Sequence, residues 1–188
     1  MMFAKLSKNS RVERILLITL SNIGDVILTF PVFDILRERF PEALIDVIAG
    51  PKACSLFEQN PHVHQFHAYD KKAPPLKKWS WLMGLRREKF DLIVDLRNSG
   101  MPFLIGGKVV TPPALGKDPV GHMKEKHLRR LRLVLDEVHS AQSRLALYIS
   151  SADKKFAANL VQNVLGYVVV APGAADHRKR WPEDRFVE

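Results

Sequence analysis

The chain has 188 residues, 46% of them hydrophobic, with 29 Lys and Arg against 20 Asp and Glu and a formal net charge of +9. This length suits one domain of ~100–200 residues with room for a sizeable core, and the composition excludes a disordered chain or a membrane bundle. Its one cysteine, Cys54, excludes an intrachain disulfide and a cysteine-based zinc site and fits a reducing cytoplasm, while no apolar run approaches the ~18–20 residues that span a bilayer.

The N-terminal stretch MMFAKLSKNSRVER is polar and basic, without the apolar segment of a signal peptide. ILLITL (15–20) is a short continuous apolar run, as expected of a strand buried on both faces. DVILTFPVFDILRERF (25–40) carries a broad apolar stripe and reads as a helix, with Pro31 forcing a kink or a late start. LIDVIAG (44–50) is the next strand, followed by a short helix around 52–59. VHQFHAYD (63–70) alternates enough to be a strand near an edge, and 76–88 suits a basic amphipathic helix. DLIVDL (91–96) is another buried strand. KVVTPPAL (108–115) holds a short one ended by Pro112 and Pro113, and 121–138 is a strong helix candidate.

Strands alternating with helices predict a parallel α/β sheet. The pattern changes near residue 145. SADKKFAANLVQNVL begins with a serine suited to cap a helix, YVVVAPGA (167–174) reads as a second very apolar strand, and Trp181–Pro182 should open a further helix. The expected division is 1–145 as an N-terminal domain and 146–188 as a connector plus the truncated beginning of a second α/β domain.

Ligands of open parallel sheets collect outside the carboxyl ends of the strands. Three stretches qualify: SNIGD (21–25), RNSG (97–100) and PGAADHRK (172–179). Neither a P-loop nor a GxGxxG fingerprint is present, which argues against a kinase, an NTPase or a dehydrogenase. Gly24 permits a tight turn and close ligand approach. Asp25 falls at or near a helix N-terminus, whose dipole favours negative charge. It is either an ordinary cap or a proton acceptor for a sugar hydroxyl. Asp95 either binds loop amides or positions a ligand, and Arg97 either contacts a phosphate or pairs with a carboxylate. In the third stretch a small-residue loop before a helix offers backbone donors to phosphate. Lys179 is there either a solvated surface lysine or a mobile cation beside that cradle. His122 and His127 lack metal spacing and Trp181 reads as packing, so no metal site and no cofactor are expected. The basic clusters at 71–90 and 122–135 are solvated helix faces or an anion-binding surface; no nucleic-acid-binding motif accompanies them.

In their order, ILLITLSNIGDVILTFPVFDILRERFPEALIDVIAG, FDLIVDLRNS, HMKEKHLRRLRLVL and VVVAPGAADHRKRWPEDRF resemble the ADP-heptose:lipopolysaccharide heptosyltransferases of glycosyltransferase family nine. The resemblance implies a GT-B architecture of two Rossmann-like domains. Residues 1–145 would be the acceptor side and 146–188 the start of the nucleotide-sugar side. It further implies metal-independent, inverting transfer of a sugar from a nucleotide-sugar donor, such as ADP-heptose, to lipopolysaccharide core or another surface glycan. Asp25 is then the expected base. Ser21, Asn22, Gly24, Asp95, Arg97 and Ser99 are expected around the acceptor, and Gly173, Ala174 and Lys179 at the donor phosphates. Many members of the family have glutamine where Arg97 stands, and some have hydroxyl residues at Ala174 and Ala175. The positive charge suits a phosphorylated glycolipid at the cytoplasmic face of the inner membrane, with peripheral membrane contact and no nucleic acid. The 188 residues alone are expected to be inactive. The alternative is a non-catalytic or truncated α/β module that binds an anionic ligand.

Overall fold

The computed structural model describes residues 5–7, 9–114, 121–142, 144–161, 166–171, 173–174 and 176–186. The chain divides into two compact units, Met1–Ile149 and Ser150–Glu188.

The first unit is built on a five-stranded parallel sheet. Its strands are β1 (Arg14–Ile18), β2 (Leu44–Ala49), β3 (Gln65–Ala68), β4 (Leu92–Asp95) and β5 (Val109–Val110), in the spatial order β3-β2-β1-β4-β5. The central strand β1 is apolar on both faces because both are covered. Ile15 and Leu17 share one core with Ile45, Val47, Val32, Phe33, Leu36, Leu128 and Leu131. Leu16 and Ile18 share the other with Ile48, Ile93, Leu82, Leu85, Met101 and Ile105. The first core belongs to α2 (Phe30–Arg39) and α5 (Met123–Leu131), the second to α3 (Pro75–Arg87) and α4 (Met101–Ile105). Each such Leu or Ile contributes roughly 1.5–3 kcal/mol by leaving water. β3 lies at an edge, where its weaker alternation puts it.

Pro31 divides the expected 25–40 helix in two. α1 covers Ile23–Ile27 and α2 begins at Phe30, with Pro31 in its first turn. There the missing N–H costs nothing, whereas in a continuous helix the ring would strike the carbonyl of Ile27. Between the two helices the Thr29 hydroxyl donates to the Val26 carbonyl at 2.6 Å. α5 is shorter than the expected 121–138. Beyond Leu131 the backbone pairs with the N-terminal segment: Leu6 N–H donates to Val134 O at 2.8 Å and Asp136 N–H to Leu6 O at 3.2 Å. The short helix near 52–59 is a 3₁₀ turn, Pro51–Leu56.

Asp46 sits in β2 fully buried, bonded to His64 Nδ1 at 2.7 Å and His67 Nε2 at 3.2 Å, with Arg14 Nη2 at 3.6 Å. The stretch that closes the unit is pinned by two buried polar side chains. Asp34 accepts from the backbone N–H of Leu145 and Ala146 at 2.8 and 2.7 Å. Asn60 Nδ2 donates to the carbonyls of the same two residues at 2.8 and 3.0 Å.

The second unit opens with α6 (Ser151–Leu160). Its cap is Ser150, one residue before the expected serine. The Ser150 hydroxyl accepts from Asp153 N–H at 3.1 Å, and the Asp153 carboxylate accepts from Ser150 N–H at 3.1 Å, closing a reciprocal capping box. The expected helical residues 162–165 lie outside the described ones. Of the strand expected over 167–174, Pro172 lies outside the described residues, and Tyr167 to Val170 are exposed and join no ladder among the described ones. Strand propensity is realised only against a pairing neighbour. Trp181–Pro182 is followed by a 3₁₀ turn, Glu183–Phe186.

Candidate functional site

The sheet changes direction of growth between β1 and β4, because β2 and β3 are added on one side of β1 and β4 and β5 on the other. At such a point the loops leaving neighbouring strands diverge and leave a crevice at their carboxyl ends. SNIGD follows β1 and RNSG follows β4, so the topology brings two of the three predicted loops to this place. A direct hydrogen bond joins them, from Arg97 Nη2 to Ser21 Oγ at 3.0 Å.

Asn22 is the N-cap of α1, in extended backbone, and its side chain makes no capping bond. Asp25 is three residues further on, in the first turn and half-buried, so it is not itself the cap. Its Oδ2 accepts from Asn22 Nδ2 at 3.0 Å. Gly24 lies within α1 with open space where a Cβ would stand, and no tight turn depends on it. The glycine that the loop does require is Gly50, at the end of β2. A Cβ there would lie 2.6 Å from the Ser21 carbonyl oxygen and 2.7 Å from Ser21 Cα. Gly50 N–H donates to Leu20 O at 3.1 Å, and Thr19 Oγ1 to Ile48 O at 3.0 Å. The loop carrying Asp25 is thus pressed against the end of β2.

Asp95 does not face the crevice: it is 1% exposed. Its Oδ1 accepts from Arg97 N–H at 2.9 Å, and its Oδ2 from Ser99 N–H at 2.7 Å and Ser99 Oγ at 3.0 Å. Burial pushes the Asp95 carboxyl above its ordinary range, against these hydrogen bonds and the nearby Arg130 charge. The Asp95 carboxylate therefore binds the loop amides, which is one of its two sequence readings. Asn98 in this loop has a positive φ of 57°. Its side chain exchanges two hydrogen bonds with the Ala114 backbone, at 3.2 and 2.8 Å. Ser99 has its hydroxyl committed to Asp95, yet it lines the cavity described next.

The Arg97 guanidinium lies 4.9 Å from the centre of the Tyr69 ring. Its Nη1 is buried without a hydrogen-bond partner among the described residues, a donor that a ligand oxygen would satisfy. Tyr69, Arg97 and Ser99 line a cavity of 310 Å³ together with Lys71, Lys78 and Leu104. Tyr69 and Gly50 were missed in the sequence. Tyr69 directly follows β3, so the rule that selected the other strand ends would have found it.

The donor-side residues belong to the second unit. Gly173 and Lys179 are exposed and Ala174 is half-buried; Pro172 and Ala175 lie outside the described residues. Lys179 ends a 3₁₀ turn, His177–Lys179, capped by Asp176, whose carboxylate accepts from Arg178 N–H at 3.0 Å and pairs with its guanidinium at 2.8 Å. Arg180 Nε donates to Ala174 O at 2.7 Å, so a second cation shapes this loop. His122 caps α5 by accepting from Lys124 N–H, and His127 is buried in the first unit.

Similarity to known proteins converges on one group. The chain is 32% identical over 83 residues to lipopolysaccharide heptosyltransferase 3 of Escherichia coli, covering 42% of this chain and 24% of the relative. It is 26% identical over 87 residues to the protein of the same name from strain K12, covering 44% and 25%. Among solved structures, a glycosyl transferase family 9 protein from Veillonella parvula superposes with a TM-score of 0.70 at 22% identity, over 93% of this chain and 57% of the other. E. coli ADP-heptose lps heptosyltransferase II superposes with a TM-score of 0.59 at 20% identity, over 90% and 57%. The structural matches support the fold. The matched stretches span about a quarter of the curated relatives, and no protein-family profile matches the chain.

Proposed function

From its kinship with the heptosyltransferases of glycosyltransferase family nine, we propose that this chain forms the acceptor side, and part of the donor side, of an inverting sugar transferase. What supports this reading is that Asp25 opens the first helix after the central strand, on the loop whose Ser21 hydroxyl accepts from Arg97. Among the described residues its side-chain partner is the Asn22 amide, which leaves lone pairs for an incoming hydroxyl.

In this mechanism Asp25 accepts the proton of the acceptor hydroxyl as that oxygen attacks the anomeric carbon from the face opposite the leaving nucleotide. One C–O bond forms while the bond to the departing phosphate breaks, and the configuration inverts. Arg97, stacked on Tyr69 and holding a free donor, binds an anionic group of the acceptor. Backbone donors around Gly173 and Ala174, with Lys179, offset the charge on the departing nucleotide. The donor is a nucleotide sugar such as ADP-heptose, and the acceptor a phosphorylated glycolipid of the lipopolysaccharide-core type. The site of work is then the cytoplasmic face of the membrane that carries the acceptor, and no metal is required.

The test is turnover in a transferase that combines this chain with a complete nucleotide-sugar half. Asp25→Asn is expected to lower turnover ~10²–10⁴-fold, about 3–5 kcal/mol of barrier, at an unchanged melting temperature. Near-wild-type turnover at saturating donor and acceptor would remove Asp25 from the chemistry and leave an anion-binding module.

A further inference from the structure

We propose that the outer face of α3, with the adjoining end of α4, is a docking surface for an anionic lipid bilayer. A helix lying on a globular domain ordinarily turns its apolar stripe inward and a polar face to water. α3 has its inward stripe, Leu82 and Leu85, buried in the core. The opposite face is also apolar at its start. Leu76 is 80% exposed and Trp79, one turn on, 53% exposed. α4 adds Phe103 and Leu104, 45% and 40% exposed. The two helices are tied where Arg86 Nη1 donates to the Leu104 carbonyl at 2.9 Å. Among the described residues these four side chains keep 40% or more of their surface in water, on two helices that adjoin, and exposed apolar surface of this kind marks an interaction site.

Charge selects the occupant. Between Asp70 and Glu88 the chain carries Lys71, Lys72, Lys77, Lys78, Arg86 and Arg87 and no acidic residue. Lys78 Nζ donates to the Lys71 carbonyl at 2.6 Å, which draws the lysines of the loop and the helix together. Cations beside exposed leucine and tryptophan fit the boundary of an anionic bilayer, where phosphates meet the cations and the acyl region accepts the side chains. A nucleic acid would meet the cations but leave Leu76 and Phe103 in water.

Lys71, Lys78 and Leu104 also line the cavity of Tyr69, Arg97 and Ser99. The surface therefore borders the mouth of the candidate acceptor site. An acceptor anchored in the bilayer would present its head group there without leaving the lipid. This last step rests on the proposed function; the docking surface itself does not.

The experiment is co-sedimentation of the 188-residue chain with phosphatidylcholine vesicles, with and without phosphatidylglycerol, across a salt series. Binding is expected to require the anionic lipid and to weaken with salt. Leu76→Ser combined with Trp79→Ser should lower partitioning by ~10-fold or more with circular dichroism unchanged. Replacing Lys71, Lys72, Lys77 and Lys78 with glutamine should abolish the preference for anionic lipid. Undiminished partitioning of the Leu76/Trp79 variant would overturn the proposal, as would retention by duplex DNA with no retention by vesicles. A two-unit enzyme that transfers sugar to a soluble acceptor yet ignores vesicles would overturn the docking surface and leave the proposed function standing.

Discussion

Gly50→Ala is the perturbation that tests how the Asp25 loop is held. The new methyl would meet the Ser21 carbonyl oxygen at 2.6 Å, Ser21 Cα at 2.7 Å and Ser21 Cβ at 2.9 Å. Ordinary contact begins near 3.4 Å, so the loop or the end of β2 must yield by ~0.5–1 Å. Two of the three atoms are backbone, and no side-chain rotation relieves them. Gly50 N–H is also bonded to Leu20 O, which couples the shift to the sheet. Overpacking of this kind costs about 1–3 kcal/mol. For a unit of this size each kcal/mol lowers the melting temperature by roughly 2–4 °C, so a fall of about 2–12 °C is expected. Gly24→Ala is the internal control. It has open space, an ordinary φ and a helical position, where alanine is favoured by ~0.5–1 kcal/mol. The assay is thermal denaturation followed by circular dichroism for both variants. If Gly50→Ala melts within about 1 °C of the parent while Gly24→Ala is clearly destabilised, the steric reasoning about this loop fails.

Acid sensitivity should trace to Asp46. Burial pushes its carboxyl up, but the hydrogen bonds from His67 and His64 outweigh burial and hold it below the ordinary value. Its contribution is thus complete above the unfolded value of ~3.9 and lost as pH falls through the lowered folded value. Asp46→Asn should flatten the acid limb of melting temperature against pH, and an unaltered limb would contradict this. Asn60→Ala removes both donors from the Leu145 and Ala146 carbonyls and should cost about 1–3 kcal/mol, with faster limited proteolysis near 145. Ser150→Ala should cost about 0.5–2 kcal/mol, read locally as faster amide exchange at the start of α6. If the proposed acceptor role is right, Arg97→Gln should weaken binding of a phosphorylated core oligosaccharide by about tenfold while leaving the fold intact, and titration calorimetry on the 188-residue chain reads it directly.

Much of the sheet was legible because burial on both faces writes itself as an unbroken apolar run, as in Ile15–Ile18 and Leu92–Val94. Pro31 announced the break between α1 and α2 through its missing N–H. α4 went unread because five residues starting Met101–Pro102 hold too little of a period to register. The end of α5 was overrun because the apolar pattern continues to Leu135, and only the distant Leu6 decides that the backbone leaves the helix. Tyr167 to Val170 show the converse, strong strand character without a ladder. At the candidate site, chain-local signals pointed to SNIGD and RNSG. The Arg97–Tyr69 stack and the Gly50–Ser21 approach join residues 28 to 29 positions apart, and no local pattern encodes them.

The place of β1 at the centre of the sheet has a consequence for biosynthesis. β1 is made first and finds β2 within a short crossover, but its other neighbour, β4, emerges only after about 43 further residues. At 5–20 residues per second the interval is roughly 2–9 s. Throughout it the edge of β1 is a row of unpaired amides and carbonyls flanked by Leu16 and Ile18, a template for any other nascent strand. A chain ended after β3 is therefore expected to self-associate, and one ended after α5 to stay monomeric. Sedimentation velocity on the two truncations would read the difference, and equal behaviour would show that the bare edge is shielded by other means until β4 arrives.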